Sequence, residues 1–196
     1  MLKFALIGAG RIGRMHGSII DDHTKTELVW VYDILEDNAI TTANTTQARV
    51  AKSLDEIFKD DSLDAVLITT STETHVELIV RAAKAGKAVF CEKPIDLDIK
   101  RVDWCREQIQ GLQVPVQIGF NRRFDPSHRK VADTARDGGI GNLEQVIITS
   151  RDPNPPPKEY YLAAGGMFRD MTIHDFDMAR YVLNEEVETV MAISAT

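Results

Sequence analysis

Three side chains in two distant stretches of the sequence could together take a proton from a sugar-like hydroxyl. Lys93 stands in Glu92-Lys93-Pro94, and Asp170 and His174 are four residues apart nearer the end of the chain. An imidazole can accept the proton, a carboxylate can fix the tautomer of the imidazole, and an ammonium favours the negative charge that develops on the oxygen. Because proline restricts the preceding residue to an extended conformation, Lys93 would point in a defined direction.

Each part of this set also has a plainer interpretation. Lys93 could be a surface lysine paired with Glu92, and spacing alone favours that view. Asp170 and His174 would share one face of a helix expected from about 167 to 183, where such a pair is usually a surface hydrogen bond. Only Asp177 lies nearby as a further ligand, so we do not expect a metal site.

A glycine-rich turn near the start of the chain predicts a binding site for a dinucleotide cofactor. Such a cofactor could accept the hydride that leaves when the hydroxyl is oxidised. Gly8, Gly10 and Gly13 form G-x-G-x-x-G between an expected strand and an expected helix. In nucleotide-binding proteins the first glycine allows a tight turn and the second lets the backbone approach a pyrophosphate. The third lets helix and strand pack closely. Alone, the pattern is equally consistent with an ordinary tight turn.

Asp33 strengthens the nucleotide interpretation. It ends the second expected strand, 20 residues after Gly13, where a carboxylate would accept hydrogen bonds from the adenosine ribose hydroxyls. The same charge would repel a 2'-phosphate. The sequence therefore predicts NAD rather than NADP, with a strand-end turn residue as the alternative.

A hydroxyl-rich turn, Thr70-Ser71-Thr72-Glu73-Thr74-His75, follows another buried strand. It would lie at the carboxyl edge of the sheet, where it could line the nicotinamide ribose. Capping of the next helix by Thr72 or Thr74 is expected as well, and His75 suits a hydrogen-bonded helix start better than catalysis. The predicted cofactor contacts are Gly8, Gly10, Arg11, Ile12, Gly13, Asp33, Thr70, Ser71, Thr72, His75, Glu92 and Lys93.

Strand-like runs alternate with helical ones, which is the pattern of an α/β protein with a parallel sheet. The runs are nearly continuous in apolar residues, as expected for strands covered by helices on both faces. Two weaker strand-like runs follow at Val146–Ile148 and Val187–Ile193. The better expected strands are Leu2–Ile7, Leu28–Tyr32, Ala65–Thr69, Ala88–Cys91 and Val114–Gly119.

Composition excludes several classes of partner. Hydrophobic residues make up 43% and charged residues 27% of the chain, and the net charge is -7 without long single-sign runs. This argues against nucleic acid, and no apolar run approaches the length of a membrane span. Cys91 and Cys105 have no metal-ligand spacing, so we interpret them as apolar fillers and expect a reducing compartment, the cytoplasm.

Several motifs resemble those of the glucose-fructose oxidoreductase and inositol dehydrogenase family. Gly8-Ala9-Gly10-Arg11-Ile12-Gly13 and Glu92-Lys93-Pro94 resemble the general signatures of that family. More specific are Gly119-Phe120-Asn121-Arg122-Arg123-Phe124-Asp125, Ser150-Arg151-Asp152-Pro153 and the stretch from Gly165 to Arg180, which are similar to the inositol-type subgroup. The resemblance covers essentially the whole chain.

The resemblance implies an NAD-dependent oxidoreductase acting on a ring hydroxyl of a cyclic polyol, foremost myo-inositol, which becomes scyllo-inosose. It implies that His174 is the general base, that Asp170 is its partner and a substrate contact, and that Lys93 orients the hydroxyl. Arg123 and Asp152 are implied as further polyol contacts. It also implies a homo-oligomer in the full-length form.

The resemblance further implies two domains. Residues 1–120 would form a Rossmann dinucleotide-binding domain with a parallel sheet, and residues 121–196 the beginning of an α+β open-sheet substrate and oligomerisation domain. Family members continue well beyond this sequence, so most of that open sheet would be absent. Three alternatives stay open: an NAD-binding fragment without turnover, a dehydrogenase of another sugar or polyol, and a catalytically silent relative.

Overall fold

Parallel strands organise the first of two units in the structure, a computed structural model that describes residues 1–151, 154 and 164–193. The units are Met1–Gly119 and Phe120–Thr196. All strands of the first unit pair in parallel, in the order β3-β2-β1-β4-β5-β6. In sheets with this order, ligands bind outside the carboxyl ends of the strands where the order reverses. The strands are β1 (Leu2–Ile7), β2 (Thr26–Tyr32), β3 (Arg49–Val50), β4 (Ala65–Ile68), β5 (Ala88–Cys91) and β6 (Val116–Ile118).

Helices cover both faces of this sheet. Side chains alternate along β1, so Ala5 and Ile7 pack into a cluster with α3, α4 and α5, whereas Leu6 packs on the other face with Leu67 and with Ala39 of α2. Burial on both faces explains the nearly continuous apolar character of these strands. The helices are α1 (Arg11–Asp22), α2 (Glu36–Thr46), α3 (Leu54–Phe58), α4 (His75–Lys84) and α5 (Ile99–Ile109), with a 3-10 turn at Thr72–Thr74.

All five better strand predictions are confirmed, with bounds that move by at most two residues. Two helices of this unit end at glycines. Gly86 follows α4 with φ +72°, and Gly111 follows α5 with φ +84°, in the left-handed region that glycine adopts readily. β3 was not predicted, because two residues at the edge of a sheet carry no periodic pattern.

The second unit is helical in its described part. It contains a 3-10 turn at Asn121–Phe124 and helices α6 (Pro126–Arg136), α7 (Met167–Asp170) and α8 (Thr172–Leu183). Ala132 of α6 packs against Met178 and Val182 of α8 in a small apolar core. The outer bounds of the helix expected from about 167 to 183 are confirmed, but its continuity is wrong, because the chain divides at Met171 into two helices.

The two weaker strand predictions, Val146–Ile148 and Val187–Ile193, are also wrong. Neither segment pairs with another strand among the described residues. Ile147 is 79% exposed and Val190 is 77% exposed. Apolar β-branched residues favour a strand only where a neighbouring strand completes the hydrogen-bonded ladder, and the described part of this unit supplies none.

Both cysteines are buried and carry free thiols. Cys91 ends β5, and burial raises the pKa of its thiol, which makes it a poor nucleophile. The interpretation of Cys91 and Cys105 as apolar fillers is therefore confirmed. Among the helices of the described residues, none combines the length and the apolar character that crossing a membrane requires.

Candidate functional site

The glycine-rich turn connects β1 to α1, and each of its glycines has a different reason to be glycine. Gly8 has φ +95°, and a Cβ there would stand 2.7 Å from the carbonyl carbon of Thr69. A Cβ on Gly13 would stand 2.0 Å from the carbonyl oxygen of Gly8. These two positions allow the turn and the close packing of helix against strand, as the sequence predicted.

Gly10 differs from the other two because a Cβ there would meet nothing within 4 Å. It is the N-cap of α1, and no side chain caps this helix or places an acidic group in its first turn. The first N–H groups of α1 and the positive end of its dipole therefore have no side-chain cap and suit an anion. This arrangement fits the pyrophosphate of a dinucleotide, with Arg11 and Ile12 beginning the helix beside it.

Asp33 follows β2 and holds the glycine turn. Its Oδ2 accepts a hydrogen bond from the Ala9 N–H at 2.6 Å, and its Oδ1 accepts one from the Leu35 N–H at 2.8 Å. The residues that follow are Ile34 and Leu35, which are exposed and apolar. A carboxylate at this strand end with no basic neighbour in the turn suits ribose hydroxyls and disfavours a 2'-phosphate.

The hydroxyl-rich turn lies beside the same glycines, after β4. The Thr69 hydroxyl donates to the Gly8 carbonyl oxygen at 2.6 Å. Thr70 and Thr74 join their hydroxyls at 2.7 Å, and Thr74 also donates to the Ser71 carbonyl oxygen at 2.8 Å. Thr72 begins the 3-10 turn that leads into α4. No side chain of this turn caps a helix, so the predicted capping by Thr72 or Thr74 is wrong.

Glu92 follows β5, and His16 of α1 holds its carboxylate. His16 Nε2 lies 2.8 Å from Glu92 Oε1, and the Lys93 N–H donates to Glu92 Oε2 at 3.3 Å. Gly119 leaves room for the group, since a Cβ there would stand 3.2 Å from it. Burial alone would raise the pKa of Glu92, but His16 and Lys93 outweigh it and lower that pKa below its ordinary value. Glu92 is therefore held as an anion.

This lowered pKa predicts how the stability of the fold depends on acid. The stabilisation from Glu92 is complete above its ordinary pKa of 4.5 and is lost as the pH falls through the lower folded pKa. In urea denaturation, the free energy of unfolding of Glu92→Gln should therefore fall less steeply with acidification than that of the wild type. Glu107→Gln, which changes an exposed glutamate of the same unit, should behave as the wild type. Equal slopes for Glu92→Gln and the wild type would contradict the assignment.

The three residues predicted to act on the substrate hydroxyl belong to different units. Lys93 belongs to the first unit, directly after β5 and Glu92. Asp170 ends α7 in the second unit, and His174 lies in the first turn of α8. The ring of Phe120 meets the His174 ring edge to face, with 6.4 Å between centroids. A hydrogen bond between Asp170 and His174 stays a prediction.

Two arginines of the second unit bind acidic residues of α8. Arg123 meets Asp177 through Nε at 2.9 and 3.0 Å from the two carboxylate oxygens, and this hydrogen bonding raises the pKa of Arg123. Asp177 is only 6% exposed. Arg122 and Ser150 both donate to Asp175 Oδ1. Asp152, the other predicted polyol contact, lies outside the described residues.

Sequence reasoning missed three hydrogen-bond partners of the predicted site residues. His16 is the partner of Glu92, Thr69 of Gly8, and Asp177 of Arg123. His16 is 76 residues from Glu92 in the chain, and no local pattern marks a contact over that separation. Thr69 was seen only as the end of a strand. Asp177 was considered only as a possible metal ligand. In the described residues, no group of three or more His, Cys, Asp or Glu side chains could hold a metal ion.

Comparison with known families gives two matches. Residues 2–120 match the oxidoreductase family with an NAD-binding Rossmann fold. Residues 128–196 match the GFO/IDH/MocA C-terminal domain. The first match contains the glycine turn, Asp33 and Glu92-Lys93-Pro94, and the second contains Asp170 and His174.

Several curated relatives are named inositol dehydrogenases. The chain is 47% identical over 194 residues to an inositol 2-dehydrogenase of Rhizobium meliloti, covering 99% of this chain and 58% of the relative. It is 43% identical over 192 residues to a myo-inositol 2-dehydrogenase of Thermotoga maritima, covering 97% of this chain and 58% of the relative. The chain thus spans less than two thirds of the length of these relatives.

Solved structures similar to this chain also include inositol dehydrogenases. The crystal structure of a myo-inositol dehydrogenase from Corynebacterium glutamicum matches with a TM-score of 0.88 and 47% identity, covering 93% of this chain and 55% of that one. A scyllo-inositol dehydrogenase from Lactobacillus casei, solved with NAD(H) and scyllo-inositol, matches with a TM-score of 0.79 and 27% identity. It covers 95% of this chain and 57% of that one.

Proposed function

Because this chain belongs to the oxidoreductase family with an NAD-binding Rossmann fold, we propose that the protein oxidises a ring hydroxyl of a cyclic polyol, foremost myo-inositol to scyllo-inosose. The family resemblance read from the motifs is confirmed, and NAD is the cofactor of this fold. The observation that carries the proposal is the glycine turn held by Asp33, which fits a dinucleotide, together with the inositol dehydrogenases among the relatives.

In the proposed reaction, residues of the chain handle the proton and orient the substrate. His174 takes the hydroxyl proton while Asp170 holds the imidazole in the tautomer that can accept it. Lys93 donates a hydrogen bond to the same oxygen and favours the negative charge that develops there. As the C–H bond breaks, a carbonyl forms, and bound NAD supplies the chemistry that accepts the hydride.

Residues 1–120 are proposed as the cofactor domain and residues 121–196 as part of the domain for substrate and assembly. Arg123 and Asp152 are proposed as polyol contacts, with the Arg123 guanidinium already oriented by Asp177. Thr70, Ser71, Thr72 and Glu92 are proposed to surround the nicotinamide ribose. His75, predicted from the sequence as a cofactor contact, has two carbonyl partners within the protein.

NADH formation with myo-inositol tests the proposal. Absorbance should rise with NAD and myo-inositol and stay flat with NADP at the same concentration. Glucose and scyllo-inositol, run in parallel, show whether another sugar or polyol is preferred. If no substrate yields NADH while NADH fluorescence reports binding, the NAD-binding fragment without turnover replaces the proposal.

Asp33 should control the choice between NAD and NADP. Asparagine keeps an oxygen that can accept the Ala9 N–H but removes the charge, so Asp33→Asn should weaken NADH binding by about 10- to 100-fold, the usual worth of a hydrogen bond to a charged group. NADPH binding should improve relative to NADH. Titration of NADH and NADPH fluorescence measures both, and Asp37→Asn in the exposed first turn of α2 is the matched control. An unchanged ratio of the two affinities would exclude this role.

We also propose a cytoplasmic homo-oligomer that acts in inositol catabolism. Free thiols on both cysteines agree with a reducing compartment. Exposed apolar side chains such as Ile147 and Val190 agree with association of the chain. Light scattering of the purified protein tests the assembly, and a monomer at every concentration would contradict it.

A further inference from the structure

His75 is buried between two loops of the first unit. It begins α4 and is 1% exposed. Its Nδ1 lies 2.8 Å from the Pro94 carbonyl oxygen, and its Nε2 lies 3.1 Å from the Thr70 carbonyl oxygen. Thr70 follows β4 and Pro94 follows Lys93 after β5, so the imidazole joins the two loops that leave neighbouring strands.

Both partners of this ring are acceptors. A neutral imidazole donates from one nitrogen and presents a lone pair on the other, whereas the protonated ring donates from both. A lone pair facing a carbonyl oxygen gives no hydrogen bond. Both contacts of His75 are therefore hydrogen bonds only when the ring carries two protons, and the neutral ring keeps one of them.

The electrostatic surroundings suit a positive charge on this ring. Glu73, in the 3-10 turn two residues before His75, has a pKa lowered first by its own backbone N–H and then by the Ser71 hydroxyl, so it carries a negative charge near the start of α4. The charge of Asp96 raises the pKa of Glu73. The Asp96 carboxylate itself accepts a hydrogen bond from Arg101 Nε at 2.7 Å. A buried charge needs hydrogen-bond partners, and the two carbonyl oxygens supply them.

We propose that His75 is a positioning residue whose protonated ring fixes the Lys93–Pro94 segment against the turn that begins at Thr70. Loss of one proton opens one of the two hydrogen bonds and loosens the segment that carries Lys93. The importance of this link for turnover rests on the role proposed above for Lys93. The link itself is a property of the first unit and can be measured without substrate.

Nitrogen NMR of the whole chain tests the link directly. The amide of Ile95 shares a peptide group with the Pro94 carbonyl, and the amide of Ser71 shares one with the Thr70 carbonyl, so both report on the two hydrogen bonds. Across about pH 5 to about pH 8, where histidines usually titrate, these two amide signals should shift with the same midpoint as the His75 ring. A ring that holds both protons throughout this range also supports the link.

Two variants complete the experiment. His75→Gln should abolish the common titration and displace the Lys93 amide signal, whereas His23→Gln, which changes an exposed histidine, should leave both as in the wild type. Amides of Ser71 and Ile95 that do not follow the ring, or a ring with a single proton throughout, would overturn the proposal.

A kinetic measurement separates this proposal from the proposed function. If the chain turns over myo-inositol, His75→Gln should lower kcat by about 10- to 100-fold, as small displacements in an active site do, and should change the KM for NAD by a smaller factor. A change in KM alone would overturn the positioning role. If the wild type shows no turnover, the proposed function fails and the NMR result still decides the link.

Discussion

Replacement of His174 by alanine is expected to lower the rate of polyol oxidation by about 10²- to 10⁴-fold, the usual contribution of a general base. NADH binding should persist, because the glycine turn and Asp33 belong to the first unit and His174 to the second. Initial rates of NADH formation give the first quantity, and NADH fluorescence gives the second. The prediction thus separates proton transfer from cofactor binding in one variant.

The control for this variant is His128→Ala. His128 is an exposed histidine of the same unit, bonded to Asp125, and its loss should change neither rate nor binding. Thermal denaturation of His174→Ala shows whether the loss of the ring contact with Phe120 disturbs the fold. If turnover and NADH binding disappear together in a folded His174→Ala protein, His174 is not the base.

Replacement of Gly13 by alanine should abolish NADH binding and destabilise the first unit by about 3 kcal/mol, the upper part of the range for overpacking. The added methyl would stand 2.0 Å from the carbonyl oxygen and 2.9 Å from the carbonyl carbon of Gly8. Both atoms are backbone, so the turn itself must move. The backbone of Thr69 and Thr70 lies close to Gly8 on the side where a Cβ would stand, so the turn has little room to move on that side.

Two other glycines of the chain provide matched controls. Gly10→Ala meets nothing within 4 Å, so it should leave stability near the wild type while its methyl obstructs the approach of the pyrophosphate and weakens NADH binding. Gly17→Ala would make ordinary contacts at 3.4 to 3.5 Å inside α1 and should stabilise the helix by about 0.5 to 1 kcal/mol.

Urea denaturation and NADH titration of the three variants give three distinct expected results. Gly13→Ala loses both stability and binding, Gly10→Ala loses binding, and Gly17→Ala loses neither. Wild-type affinity in Gly13→Ala, or equal destabilisation by Gly10→Ala and Gly13→Ala, would contradict the account of the turn.

The first unit was predictable because its signals are local. A strand covered on both faces is continuous in apolar residues, and Gly13 is required by the carbonyl oxygen of Gly8 within the same motif. The N-cap of α3 depends on equally local contacts, since the Ser53 hydroxyl accepts from the Glu56 N–H at 3.4 Å. The Glu56 carboxylate reaches one residue further back, to the Lys52 N–H.

The remainder depended on contacts that no local pattern records. His16 and Glu92 meet across 76 residues of chain, and Arg123 and Asp177 meet across 54. The division of the helix at Met171 falls within a run that contains no glycine or proline to mark a break. Val146–Ile148 and Val187–Ile193 have strand composition, but strand formation depends on a neighbour rather than on composition.

The hydrogen bond from the Ala9 N–H to Asp33 should affect both the rate and the free energy of dinucleotide binding. The N–H groups of Ala9 and Leu35 both donate to the Asp33 carboxylate, so contacts within the protein hold the shape of the turn. A preorganised receptor loses little conformational entropy on association, so more of the contact energy remains as affinity. Capture of the dinucleotide should therefore follow a single bimolecular phase, without a slow rearrangement of the turn afterwards.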